Sequence, residues 1–290
     1  MDTAMVLSKA AHGMNWGWHQ RVEDHWRVGV VSHGGAYAKL NNLNWVDGEH
    51  CIKFGNDFGS NWIDHTDIPH RNWHFWDNPE IPHFLYPNPA NPSGGKHWVR
   101  WCRGDIFSTA HNTEPGHSNR INQLLSEFAG VPLVWQEIVQ PKTVKLRNSK
   151  RILLCPSSSN CYTYYYGETR SQWIDRWAGW CEAQGYEPVL RNKPARPVRN
   201  NDEDARLCNT AENYFATISQ HSVAAIESII GGTPAVVTGP NPGGPLVTTP
   251  KQFEQGNIVV PDMDAVMDWL ELCLSNIRHK SELFSGAWHQ

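Results

Sequence analysis

The chain has no run of about 18 apolar residues, the length a helix needs to cross a bilayer, so no membrane span is expected in its 290 residues. It also lacks an excess of positive charge. Its 25 Lys and Arg stand against 29 Asp and Glu, for a net charge of −4 with 19% of residues charged. No basic field exists to hold a polyanion by counterion release, and any nucleic-acid contact must be local. No CxxC pair occurs among the seven cysteines (51, 102, 155, 161, 181, 208 and 273), and the odd number argues for reduced thiols rather than a disulfide framework. The first twenty residues contain too short an apolar run for a signal peptide. Together these absences predict an intracellular, cytoplasmic protein.

What is present divides unevenly. The length suffices for two domains of ordinary size, each with its own core. Fifteen tryptophans are many for this length, and the first half sets them among His, Asn, Pro and Gly, which predicts a loop-rich domain. From Arg151 onward, apolar strands alternate with amphipathic helices, as a parallel sheet with crossover helices requires. Strands are expected at 151–155, 186–190, 214–219 and 233–238, with helices at 168–184, 202–210 and 222–231. Trp173, Ile174, Trp177 and Cys181 fall at helical spacing in the first of these helices, and Gly185 ends it. In the first half, a strand near Met5 to Ser8, a helix at 16–25 and a strand at 27–32 would open a second unit of this kind. Long loops around short strands such as His97 to Cys102 are expected over 41–117. A final helix is expected from Asp264 to Lys280, with Val266, Trp269, Leu270, Leu272, Cys273 and Ile277 available for burial.

The most informative stretch is HSVAAIESIIGGTPAVV, residues 221–237. Ser222 is a good N-cap, and the exposed N–H groups of the first helical turn form a ready anion site that a diphosphate fits. Val223, Ile226 and Ile230 make an apolar stripe, and Glu227 falls on it, four residues after Val223. A carboxylate there needs a partner. An unpaired buried charge is expensive, whereas one accepting hydrogen bonds from two vicinal hydroxyls can stay ionised at a cleft edge. A nearby Arg is the other available partner.

Ser222, Glu227 and Pro234, read as Ser-x4-Glu-x6-Pro, resemble the donor-site signature of nucleotide-sugar glycosyltransferases of the GT-B type. The match extends over the strand and helix order from Arg151 to Thr238. The resemblance implies an α/β chain of two Rossmann-like domains facing a cleft: an acceptor-side domain at 1–146, a donor domain at 147–263, and a C-terminal helix at 264–290 that crosses back to the first. It implies that the helix N-terminus binds the nucleotide diphosphate and that Glu227 binds the ribose hydroxyls. No cofactor and no obligatory metal are implied, the nucleoside diphosphate sugar being the substrate.

Arg191 and Lys193 follow a predicted strand at its carboxyl end, where open α/β sheets bind ligands, and could neutralise the departing diphosphate or form a plain solvated loop. Ser157 and Ser158 follow the first strand of the same domain and could donate to phosphate or make an ordinary polar turn. His221, just before the N-cap, could approach the phosphate or the base, or simply pack. In the first half, AAHGMNWG resembles the loop in which inverting GT-B enzymes place their base, which makes His12 the leading candidate, with Asp105 and His33 as rivals.

Asp64, His65, Asp67, His70 and His74 include enough ligand types for a metal, but their spacing matches no closed zinc pattern. Residues 96–103 interleave Trp98 and Trp101 with Lys96, Arg100 and Arg103, and alternation places Lys96, Trp98 and Arg100 on one strand face. That face could grip a phosphodiester and stack on a base, or the tryptophans could be core. The compact length and the Trp/Arg-rich first half are similar to bacteriophage glycosyltransferases, which makes a 5-hydroxymethylpyrimidine in DNA the leading acceptor. A surface glycan or small-molecule acceptor is the alternative, and beyond transferases stand a non-catalytic nucleotide-sugar or DNA-binding module and an epimerase using the same donor.

Overall fold

The computed structural model describes residues 3–7, 36–40, 50–54, 73–77, 79, 81, 84, 98–103, 117–157, 162, 167–191 and 206–285. The chain forms two units. Met1–Pro79, Phe84–Pro132 and Leu274–Gln290 make the first, and Glu80–His83 with Leu133–Cys273 the second. The first begins with strands β1 (Thr3–Leu7), β2 (Ala36–Leu40), β3 (His50–Phe54), β4 (Trp73–Asp77) and β5 (Trp98–Arg103). The expected first strand is thus present, while the helix at 16–25 and the strand at 27–32 lie outside the described residues. Helix α1 (His117–Ala129) follows. It was not among the expected elements, although Ile121, Leu124, Leu125 and Phe128 carry the three-and-four spacing that announces it.

The second unit opens with α2 (Trp135–Ile138) and β6 (Arg151–Cys155). Helix α3 (Arg170–Ala183) starts at a capping box, in which Gln172 N donates to Thr169 Oγ1 at 3.2 Å and Thr169 N to Gln172 Oε1 at 2.7 Å. It ends before Gly185, whose φ of +78° is a conformation that L side chains rarely adopt. Then come β7 (Glu187–Leu190), α4 (Leu207–Thr210), β8 (Ala216–Ser219), α5 (Ala224–Ile230), β9 (Ala235–Val237), α6 (Pro250–Glu254) and α7 (Met263–Asn276). The expected strands and helices of this half appear among the described residues, β6 with the expected bounds and most others shorter, while residues 202–205 of the expected helix at 202–210 lie outside the described residues.

The order β7-β6-β8-β9 is parallel throughout. Because the chain moves from β6 outward to β7 and then returns past β6 to β8, right-handed crossovers put α3 on one face and α4 with α5 on the other. The core shows this. Ile152 and Leu154 of β6 pack with Trp173, Trp177 and Cys181 of α3. Leu153 and Cys155, pointing oppositely, pack with Leu207, Ala211 and Ala224. A strand buried on both faces must be apolar at every position, and RILLC satisfies this in all but its first residue.

The last segment departs from expectation. The helix stops at Asn276, and the chain continues as β10 (Ile277–His279) and α8 (Lys280–Ser285). Strand β10 pairs antiparallel with β5, and the first sheet runs β10-β5-β4-β3-β1-β2. Its parallel part, β4-β3-β1-β2, repeats the strand order of the second unit. Arg120 fixes this return by donating to Leu274 O at 3.0 Å and Ile277 O at 2.6 Å while pairing with Glu282. A guanidinium there satisfies carbonyls left open at the end of α7. The chain is therefore mixed α/β with two largely or wholly parallel sheets.

Candidate functional site

In the second unit, the switch point lies between β6 and β8, whose outgoing connections run in opposite directions. Ser157 follows β6 there, and Gln220, His221 and Ser222 follow β8, while Arg191 directly follows the neighbouring β7. Four of the seven donor-side candidates therefore sit along one carboxyl edge, and Glu227 lies on α5, the helix leading from it.

The loop after β8 is fixed by the loop after β9. Asn241 Nδ2 donates to Ser222 O at 3.2 Å, and Asn241 Oδ1 accepts from Gly243 N at 2.9 Å. His221 Nδ1 lies 2.8 Å from Pro240 O. A carbonyl only accepts, so the proton is on Nδ1, and in the neutral ring Nε2 is the acceptor. Burial lowers the His221 pKa below its ordinary value, outweighing the carbonyl contact that favours the charged form. Ser222 Oγ accepts from Ala224 N at 3.1 Å, so its hydroxyl caps the first turn although Val223 stands at the geometric boundary of α5.

Three polar atoms at this edge are buried without a hydrogen-bond partner among the described residues: Ser157 Oγ, Ser219 Oγ and Gln220 Oε1. Groups this deep are normally paired, so such a gathering needs an explanation. Ser157 also has its backbone N–H bonded to the hydroxyl of the buried Tyr162, at 2.8 Å.

Glu227 is 6% exposed. Its Oε2 lies 3.3 Å from Nη1 of Arg191, which arrives from the far side of β6. Arg191 is anchored by its own backbone, whose N–H donates to Leu154 O at 2.9 Å. The Cys208 thiol lies within the field of this pair. Burial pushes it up to about 11, the Glu227 carboxylate adds to the rise, and Arg206 and Arg191 oppose it. The carboxylate on the apolar stripe thus has a partner, and it is one of the cations expected near phosphate.

Ser158, Lys193, His12, His33 and Asp105 lie outside the described residues. Trp98, Arg100 and Trp101, the expected acceptor-side residues, are described. Trp98 is fully buried, and Arg100 and Trp101 are each 6% exposed. Phe84 meets the Trp98 ring edge-on at 5.3 Å, and the His279 ring meets the same Trp98 ring at 5.0 Å. Strand β10 pairs with β5 and makes it an interior strand, with His279 in register with Trp98. Asn241, Tyr162 and Gln220 were missed by sequence reasoning. Asn241 sits in the turn-forming run GPNPGG, a signal for a shaped loop, whereas nothing periodic marks Tyr162.

Among the described residues, no three His, Cys, Asp or Glu side chains gather as a metal group, and no helix is long and apolar enough to cross a membrane. No protein-family model and no curated protein matches the chain. Among solved structures it is similar to Thermosulfurimonas dismutans KpsC, beta Kdo 2,7 transferase, at 12% identity and a TM-score of 0.47, over 100% of this chain and 99% of that one. It is also similar to Thermosulfurimonas dismutans KpsC, beta Kdo 2,4 transferase, at 11% identity and a TM-score of 0.44, over 96% and 92% of the two chains.

Proposed function

We propose that the chain is a glycosyltransferase that moves a sugar from a nucleoside diphosphate donor to an acceptor hydroxyl, with the donor held at the carboxyl edge of β6 and β8. The observation that carries this reading is Glu227, a carboxylate enclosed on the helix that leaves the switch point, beside a capped first turn. A carboxylate so placed accepts two hydroxyl hydrogen bonds from a vicinal diol, and the backbone N–H groups ahead of it suit an anion. The unpartnered Ser157 Oγ, Ser219 Oγ and Gln220 Oε1 supply further polar contacts for a nucleotide at the same edge. Two domains facing a cleft, with the acceptor base on the first, belong to this proposal. His12 is its first candidate for that base, and Asp105 and His33 are the comparisons. Ser158 and Lys193 remain candidate donor-side residues.

A hydroxymethylpyrimidine in DNA is the acceptor implied by the resemblance to bacteriophage glycosyltransferases, and the enclosure of Trp98, Arg100 and Trp101 favours a glycan or small-molecule hydroxyl over it. The test incubates the chain with mixed nucleotide sugars and a panel of glycans, small alcohols and hydroxymethylated DNA, with products read by mass spectrometry. Sugar transfer to a panel member is expected. A sugar altered while still on its nucleotide would replace this reading with an epimerase, and nucleotide binding without turnover would replace it with a binding module. His12→Ala should lower kcat by about a hundredfold or more while sparing donor affinity. Normal kcat in that variant beside a folded, inactive Asp105→Ala would move the base to Asp105.

A further inference from the structure

Arg191 and Glu227 stand 36 residues apart, on either side of β6, and the sheet order rather than the local sequence brings them together. The guanidinium is engaged with the carboxylate in an enclosed pair, the Arg191 side chain 18% exposed against 7% for that of Glu227. A diphosphate approaching the edge would meet a charge already balanced by a carboxylate. Withdrawing Arg191 to serve phosphate would leave that carboxylate, on a residue only 6% exposed, without its counter-charge, and an uncompensated buried charge is strongly disfavoured. The contact is made through Nη1 to Oε2 alone, which leaves Oε1 of Glu227 as an acceptor toward a ligand.

We infer that Arg191 is a positioning residue of the donor site. Its guanidinium charge-balances the Glu227 carboxylate and fixes its orientation, so that the second oxygen meets a vicinal diol of the donor ribose, and Arg191 itself does not touch the diphosphate. This rests on the donor-site reading proposed above and deepens it. It differs from the direct phosphate role expected from the position of Arg191 after a strand.

The test uses the full chain and calorimetric titration. From UDP, GDP, ADP and CDP the tightest binder is chosen, and its nucleoside and its 2′,3′-dideoxy form serve as the comparison probes. The wild type should bind the ribose form at least about tenfold more tightly than the dideoxy form, as expected for hydrogen bonds to a charged group. In Arg191→Met this preference should collapse toward unity, with diphosphate and nucleoside weakened by the same factor, and Arg191→Lys should restore part of it. In a Glu227→Leu background, adding Arg191→Met should change diphosphate affinity no further, because a residue acting only through Glu227 has nothing left to act on. That double variant replaces the ion pair with apolar side chains, and it supplies the answer should Arg191→Met fail to fold. A variant that keeps the ribose preference but loses diphosphate affinity more than nucleoside affinity overturns the inference, as does a further loss in the Glu227→Leu background. A wild type that binds none of the four nucleotides overturns the donor-site reading as well.

Discussion

Gly231, directly after α5, lies against the backbone of Cys208 in α4: a β-carbon added to it would stand 2.6 Å from the Cys208 carbonyl oxygen and 2.9 Å from Ala211 Cβ. The neighbour is backbone and cannot yield cheaply. Gly231→Ala is therefore expected to destabilise the chain by about 1–3 kcal/mol, the usual cost of forcing an extra carbon into a packed interior. Gly179, inside α3, would meet nothing within 4 Å. Gly179→Ala should stabilise by about 0.5–1 kcal/mol through helix propensity. Urea unfolding of the two variants gives opposite shifts if the α4–α5 approach is as close as this.

The Ser222 hydroxyl accepts from Ala224 N at 3.1 Å and is the side-chain cap of α5. Ser222→Ala should cost about 0.5–2 kcal/mol, and Ser222→Gly only a few tenths. Equal unfolding midpoints for Ser222→Ala and the wild type would remove the cap from the description of this edge.

His221 has its pKa lowered from the ordinary 6.5, with burial as the leading cause. Between the lowered value and 6.5, the unfolded chain binds more protons at this residue than the folded one. The stability it contributes is fully present above 6.5 and is lost as the pH falls through the folded value. Thermal midpoints should therefore rise as the pH is raised from below the folded value toward 6.5 and level off above it. His221→Gln, which can still donate to the Pro240 carbonyl, should flatten that part of the rise, and an unchanged pH profile would show that His221 is not its source.

Burial pushes the Cys181 thiol up to about 12 and Cys208 to about 11, so both are protonated near neutral pH. Iodoacetamide added to the native chain at about pH 7.5 should leave the peptides carrying both residues unlabelled, and added in denaturant should label them. Rapid native labelling of Cys208 would mean that the interior beneath Glu227 opens readily.

Much of the second unit was legible because its determinants are local. A parallel strand covered on both faces must be apolar along its length, which marks RILLC, and an amphipathic crossover helix needs a cap and a period, which mark Thr169 to Gly185. The same period showed that Glu227 faces inward and requires a partner. The first half offered little of this, and the α1 helix passed unread although its spacing was present.

What the sequence by itself determined was therefore the alternation of strands and helices after Arg151, the capped turn at Ser222 and the need of Glu227 for a partner. Only the tertiary structure decided who answers that need. Strand order places β7 and α5 on either side of β6, so the partner is Arg191, 36 residues away. The surroundings of Trp98 likewise come from a distance, with Phe84 against its ring and His279 of β10 paired in register with it. Periodicity tells which way a side chain points along its own element. Whether that direction ends in solvent or in a neighbour depends on which distant strand is laid beside it, a choice made by the packing of the whole sheet.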